Sequence, residues 1–221
     1  MVRTFVYVDG FNLYYRALQR GPYKWLDLKT LFAGLLSPEN RIDAIRYYTA
    51  NISGKRDPHA PNRQHAYLRA LSTIPEVSIH RGNFLVSEKW AALAQPPQMM
   101  VRPSPVTALV VKTEEKGSDV NLASHLIRDA FLDRFDVAVV VSNDTDLVEP
   151  IRIVAQEVGK PVGLVSPSDK PAKSLVQVAS FVRHLSNSRL AAAQFPEVIP
   201  GTPIRRPAAW ATVPPGSSGA P

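Results

Sequence analysis

Along the chain, short apolar runs of strand type alternate with stretches whose apolar residues recur every three or four positions. Thr4–Val8 is a β-type run that ends at Asp9. Asp27 stands at an N-cap position, ahead of Leu28, Leu31, Phe32, Leu35 and Leu36 on one helical face, and Ser37-Pro38 closes that segment. Ile42–Thr49 reads as a second strand, Asn62–Leu71 as a helix entered after Pro61, and Val77–Val86 as a third strand. Val106–Lys112 is a further β-branched run, and Ser118–Leu132 has helical spacing through Val120, Ala123, Ile127, Ala130 and Phe131. Val137–Val141 is apolar throughout, the pattern of a central parallel strand buried on both faces. A helix over Asp146–Val158 with Pro150 in its first turn, a strand over Val162–Val165 and helical material over Ala172–Ala179 complete the series.

This alternation predicts a single α/β domain built on a parallel sheet flanked by helices, with right-handed crossovers. Two segments depart from it. Trp90–Pro105 holds Pro96, Pro97, Pro103 and Pro105 and is expected to be an insertion or flap. From Phe195 onward there are seven prolines and little periodicity. The expected division is therefore a domain over 1–190, with the Pro-rich insertion at about 90–105, and a disordered Pro-rich tail over 191–221.

Composition narrows the chemistry. The 221 residues include no cysteine, which removes disulfides, thiolate nucleophiles, Cys-type zinc sites and cysteine-held iron–sulfur clusters. No apolar run approaches the roughly 20 residues of a spanning helix. Met1–Asp9 carries no leader-like apolar stretch, so a cytoplasmic protein without a membrane partner is expected. The net charge of +7 is unevenly spread. Glu114–Glu149 holds nine acids against Lys116, Arg128 and Arg134, whereas Arg41–Arg102 holds nine bases against Asp43, Asp57, Glu76 and Glu88. A basic body of this kind favours polyanions, phosphate backbones first among them.

Open parallel sheets bind ligands beyond the carboxyl ends of their strands. Asp9 follows the first strand, Asp144 and Asp146 follow the most apolar strand in Ser142-Asn143-Asp144-Thr145-Asp146, and Asp119 opens a helix in Lys116-Gly117-Ser118-Asp119. Singly, such acids are more commonly caps or turn formers. Together, four carboxylates at one sheet edge repel one another and call for a cation. Oxygen ligands without cysteine or paired histidine suit Mg²⁺ or Mn²⁺, which can promote displacement at phosphorus.

Val8-Asp9-Gly10-Phe11-Asn12-Leu13-Tyr14-Tyr15, Glu115-Lys116-Gly117-Ser118-Asp119-Val120-Asn121-Leu122 and Val141-Ser142-Asn143-Asp144-Thr145-Asp146-Leu147 resemble the three motifs of the NYN domain family. These are PIN-like nucleases, a group that includes the DUF88 and LabA-type bacterial proteins. The resemblance spans roughly residues 3 to 185. It implies a PIN-like (Rossmannoid) parallel sheet, a divalent metal and an endoribonuclease hydrolysing RNA phosphodiesters. Carried over by position, Asp9, Asp119, Asp144 and Asp146 are the acidic, metal-holding quartet. Asn12 and Ser142 orient ligands or water, Lys116 approaches the phosphate, and no side chain forms a covalent intermediate. Asn143 stands where glycine is common, a change that asparagine's tolerance of turn conformations can absorb. The expected partner is RNA, single-stranded in the simplest case, and a homodimer is an open possibility.

Two alternatives stand beside this reading. One is a non-catalytic RNA-binding or protein-interaction module, against which the intact quartet argues. The other is an NADH-dependent 6-hydroxy-3-succinoylpyridine 3-monooxygenase of nicotine degradation, a label that some similar proteins carry. Gly10 stands alone after the first strand without a Gly-x-Gly-x-x-Gly pattern, and the five histidines show no metal-ligand spacing. Tyr14, Tyr15, Tyr23 and Trp25 are candidates for stacking bases, and Arg205-Arg206 for an electrostatic tether.

Overall fold

β1 (Val2–Asp9) runs through the middle of a sheet and alternates its side chains between two cores. Val6 and Val8 point to one face and Phe5 and Tyr7 to the other. The computed structural model describes residues 1–55, 57–94 and 107–211. After β1 come α1 (Gly10–Leu13), which continues as a π-helical turn over Tyr14–Leu18, then α2 (Leu28–Leu35), β2 (Asn40–Ala50) and α3 (Ala60–Leu71). They are followed by β3 (Val77–Ala92), β4 (Thr107–Lys116), α4 (Ser118–Phe131) and β5 (Val137–Val141). A 3₁₀ turn over Thr145–Leu147 leads into α5 (Val148–Arg152) and a π-helical turn over Ile153–Glu157. β6 (Val162–Ser166), α6 (Lys173–Val178), β7 (Phe181–His184) and α7 (Asn187–Ala192) close the series.

Among the described residues, the sheet order is β4-β3-β2-β1-β5-β6-β7. β1 and β5 sit at the centre, as the valine run of β5 requires: Val139 and Val141 join the core under α2 and α3, while Ala138 and Val140 join the core under α4 and α5. Every neighbouring pair is parallel except β3–β4. The expectation of a wholly parallel sheet fails at that edge. A parallel pair needs a crossover, usually a helix, whereas β3 and β4 pair as the two arms of a hairpin, Ala92 opposite Thr107. Trp90–Ala92 is therefore strand rather than insertion; residues 95–105 of the expected insertion lie outside the described residues. β7, with its four residues, is too short for its alternation to be read in advance.

α4 is anchored across the sheet by charge as well as by apolar contact. Asp129, fully buried, pairs with Arg46 at 2.8 Å and Arg134 at 3.0 Å and accepts from the Tyr7 hydroxyl at 2.9 Å. A buried carboxylate is tolerated only with such partners. This fixes the helix whose first turn carries Asp119.

The expected disordered tail is corrected over residues 191–211. Phe195, Ile199, Ile204 and Trp210 are buried in the core that also contains Trp25 and Tyr67. The Phe195 N–H donates to the Trp25 carbonyl at 2.9 Å and Trp25 Nε1–H to the Pro196 carbonyl at 2.9 Å. Trp25 is thereby core, not a base-stacking surface. Arg205 lies in a bridge with Val198 and the Arg206 N–H donates to the Glu197 carbonyl. Between α7 and a short 3₁₀ turn over Ala208–Trp210 the segment covers large aromatic surface with isolated bridges alone, so its apolar residues follow neither a helix nor a strand period. Residues 212–221 of the expected tail lie outside the described residues. No helix among the described residues is long and apolar enough to cross a membrane.

Truncating a buried phenylalanine costs about 3–5 kcal/mol, so Phe195→Ala is expected to lower unfolding stability by about 3 kcal/mol in urea titrations. A loss under about 0.5 kcal/mol, the range of exposed substitutions, would show the tail unpacked.

Candidate active site

The parallel register of the two central strands sets the site. Val8 stands opposite Val141, so the next residue of each chain, Asp9 and Ser142, meet at the strand ends. Ser142 Oγ–H donates to Asp9 Oδ2 at 2.9 Å, and the Asn12 backbone N–H donates to Asp9 Oδ1 at 2.9 Å. Asp9 is thus the N-cap of α1 and is 6% exposed. Burial pushes its carboxyl above the ordinary value, while the Asn12 and Ser142 hydrogen bonds pull it down and nearby Asp144 pushes it up.

Asn12 Oδ1 accepts from the Asn143 N–H at 3.1 Å, tying the start of α1 to the end of β5. Asn143 does more than close a turn. Its Oδ1 accepts from the Ala172 N–H at 2.7 Å and its Nδ2 donates to the Lys170 carbonyl at 3.4 Å, which holds the segment before α6. Among the described residues, Asp133 is the non-glycine residue with positive φ, so Asn143 stands here for its amide and not for a left-handed backbone. Asp144 caps the following 3₁₀ turn. Its N–H donates to Ser142 Oγ at 3.0 Å and its Oδ1 accepts from the Asp146 N–H at 3.0 Å.

Asp119 arrives from the other side. Gly117 takes φ 101° to start α4, a conformation that favours glycine. Ser118 Oγ–H donates to the Thr49 carbonyl at 3.3 Å, and Glu115 Oε1 accepts from the Ser118 N–H at 3.1 Å. β3 passes so close that a Cβ at Gly82 would stand 2.7 Å from the Lys116 carbonyl oxygen. Asp9, Asp119, Asp144 and Asn12 then line one cavity of about 280 Å³, together with Glu115 and an aromatic wall. In that wall Phe11 stacks on Tyr15, centroids 6.2 Å apart, and meets Phe84 edge-on at 5.7 Å.

The placement of the expected residues is therefore uneven. Ser142 is buried behind Asp9 and holds it from below. Asp146 is exposed, one turn further on, and does not line this cavity. Lys116 is directed to Glu114, 3.5 Å away, and also stays outside the lining. Glu115, Phe11 and Phe84 were not singled out beforehand; Glu115 sits in the second motif, but nothing in its type separated it from Glu114. A second cluster was missed entirely. His80 stacks on Tyr48 at 5.0 Å and meets His125 at 4.7 Å, and Tyr48 Oη lies 3.0 Å from His125 Nδ1. Burial first, then the His125 and Arg46 charges, hold His80 down to about 4. The two histidines are brought together by the fold and have no sequence spacing that could show it.

Burial pushes the Asp119 carboxyl up to about 6, with repulsion from Asp9, Asp144, Glu115 and Asp146 adding to it. Among the described residues, no three His, Cys, Asp or Glu side chains close into a ready cage for an ion. Mg²⁺ does not ask for one, since it is commonly held by one or two carboxylates and keeps several waters. Hard oxygen donors that repel one another in a half-buried cavity fit such an ion.

The NYN domain model matches residues 3–186. A Pseudomonas putida protein named 6-hydroxy-3-succinoylpyridine 3-monooxygenase HspA is 31% identical over 235 aligned residues, covering 95% of this chain and 75% of that protein. The crystal structure of a Vibrio parahaemolyticus protein of unknown function superposes with a TM-score of 0.52 at 14% identity, over 84% of this chain and 94% of that one. That likeness concerns the fold. NYN proteins are typically nucleases of PIN-like architecture and generally use a divalent metal.

With its folded value raised, Asp119 holds its proton more tightly in the folded than in the unfolded protein. Its contribution to stability is full below about pH 4, the unfolded value, and is lost as pH rises through the folded value. Asp119→Asn should therefore raise Tm of the metal-free protein at pH 7.5. Discounted for the exposed half of the side chain, an effect of about 1 kcal/mol gives about 2–4 °C. At pH 4 the same substitution should change Tm little. Equal shifts at both pH values in thermal melts would contradict the crowding of these carboxylates.

Proposed function

The chain belongs to the NYN domain family, and from that premise we propose that it is a metal-dependent endoribonuclease. The observation that carries the reading is the convergence of Asp9, Asp119 and Asp144 on one cavity at the strand ends, in a protein of net charge +7. In this reading Asp9, Asp119 and Asp144 hold the metal, with Asp146 contributing from the rim. Bound there, Mg²⁺ or Mn²⁺ supplies charge neutralisation at the phosphate and activation of water.

The chain's own residues do the rest. Ser142 keeps Asp9 oriented by donating to one carboxylate oxygen while the Asn12 N–H takes the other. Both bonds favour the ionised carboxylate, the form that binds a cation. Asn12 itself is steadied through the Asn143 N–H, so its position is shared between both central strand ends. Glu115 is half-buried on the cavity wall and occupied with the Ser118 N–H, a positioning role at the start of α4. Lys116, mostly exposed beside Glu114, is free to swing towards a phosphate backbone when one arrives. Among the described residues no side chain is placed as a nucleophile, the Ser118 hydroxyl at the cavity being buried and donating to the Thr49 carbonyl, so hydrolysis is expected in a single displacement. The compartment in which such an RNA-cutting protein is expected is the cytoplasm.

A second reading comes from the Pseudomonas putida relative, whose name describes oxygenation of 6-hydroxy-3-succinoylpyridine. What favours it is the extent of the similarity, 31% identity over 95% of the chain, together with aromatic residues against the carboxylate cavity. One set of assays separates the two. Purified protein is expected to cut single-stranded RNA with Mn²⁺ and to lose cleavage with EDTA. Asp144→Asn should reduce kcat/KM about 10²-fold or more, the scale of losing one group that stabilises developing charge. Ser142→Ala should cost about 10–100-fold, as the loss of a ligand's supporting hydrogen bond does. RNA bound but uncut would leave a binding module. No cleavage together with oxygen-dependent NADH consumption on a hydroxypyridine would replace the nuclease by the oxygenase.

A further inference from the structure

Phe11 and Tyr15 have a second side. The carboxylate cavity lies on one, and on the other is a partly open pocket of about 70 Å³. Tyr14, Tyr67 and Trp210 form its walls, and Lys24, Arg63 and Gln64 bring the polar atoms. Trp210 stands beyond residue 186, where the family match ends, and reaches the cavity because the C-terminal segment packs back onto Trp25 at 6.5 Å and Tyr67 at 6.2 Å. The wall is thus completed by a part of the chain that is not part of the matched domain.

Charge at this cavity is positive. Arg63 pairs with Asp57, and Lys24 Nζ donates to the Gly21 carbonyl at 2.6 Å. Among the described residues, Asp57 is the one acid that pairs with either cation. Burial, then the charge of Arg63, lowers the Lys24 ammonium from its ordinary value, as two cations facing one space require. An anion entering beside them would relieve that repulsion.

Size sets a further limit. A cavity that takes benzene whole measures about 150 Å³, so this one encloses part of a single six-membered ring and leaves its substituents outside. The second ring of a purine would stay outside in the same way. Aromatic faces worth about 1–3 kcal/mol per stacked base, next to two cations, are the usual components of a single-strand subsite.

We propose that this cavity is a subsite for the six-membered edge of one base of the substrate, set against Tyr14, Tyr67 and Trp210 with its phosphate on Arg63 and Lys24, beside the strand-end carboxylates. The assignment rests on the nuclease reading for its substrate. The chemistry it recognises, a six-membered heteroaromatic ring bearing an anionic group, is also that of a pyridine carrying a carboxylate arm.

The test is isothermal titration of the full chain, in EDTA, with CMP, AMP, ribose 5-phosphate and 6-hydroxynicotinate. CMP and AMP are expected to bind, each at least about fivefold more tightly than ribose 5-phosphate, the low end of what a base–aromatic stack contributes. Tyr14→Leu and Arg63→Gln, each checked by thermal melting, should weaken CMP about tenfold, the size of one lost stack or one lost charge-assisted hydrogen bond. Equal binding of CMP and ribose 5-phosphate, or CMP binding unchanged in both variants, would overturn the subsite. Binding of 6-hydroxynicotinate without any nucleotide binding would overturn the nucleotide assignment and give the cavity to a small molecule. Titration needs neither metal nor cleavage, so the nuclease reading can fail in the RNA assay while this one stands, and the reverse.

Discussion

The hydrogen bond from Ser142 Oγ–H to Asp9 Oδ2 joins the ends of the two central strands. It exists because β1 and β5 run parallel in a register that sets Val8 against Val141. Both strands are apolar on both faces, so neither can slip by one residue without exchanging its two cores. The bond also explains how a carboxylate stays at a buried strand end. Desolvation would drive Asp9 towards its neutral form, and the two donors, Ser142 and the Asn12 N–H, work against that. Everything else in the site is measured from this point: Asp144 is capped through the same Ser142 hydroxyl, and α1 starts on the same carboxylate.

Asp119 is held by a separate set of constraints. Gly117 turns the chain into α4, Gly82 lets β3 pass against the turn, and Asp129 pins the far end of the helix to Tyr7 and Arg46. The consequence is a half-buried group of acids whose mutual repulsion the fold maintains with, among the described residues, no cationic side chain in the cavity lining. Folds keep such costly arrangements where chemistry uses them. The aromatic wall of Phe11, Tyr15 and Phe84 gives the cavity an apolar side, and less water beside a charge strengthens its interactions.

Much of this was legible in the residues. The β5 valines announced a central strand, Asp27 announced the start of α2 and caps Thr30 N–H as an N-cap should, and the acids after β1 and β5 fell at the ligand edge of the sheet. Less could be read where contact, rather than period, decides. The β3–β4 hairpin replaced a parallel crossover, Asn143 works through its amide, and the C-terminal segment packs around Trp25 with no repeat to reveal it. Lys116 and Asp146 lie within the motifs yet outside the cavity lining, because side-chain direction on a strand end or a 3₁₀ turn is set by neighbours that spacing does not encode. His80 on β3 and His125 on α4 meet where the helix packs on the sheet, for the same reason.

The central claim is that the carboxylates at the ends of β1 and β5 and at the start of α4 are one cation site. Titration of Mn²⁺ into ¹⁵N-labelled protein tests it residue by residue, since the ion broadens the amide signals nearest to it. The account predicts early broadening of Gly10, Asn12, Asp119 and Asp144, with the amides of β7 and α7 unaffected at the same ratio. Broadening that begins instead around His80 and His125, or that spreads evenly over exposed acids, would contradict it.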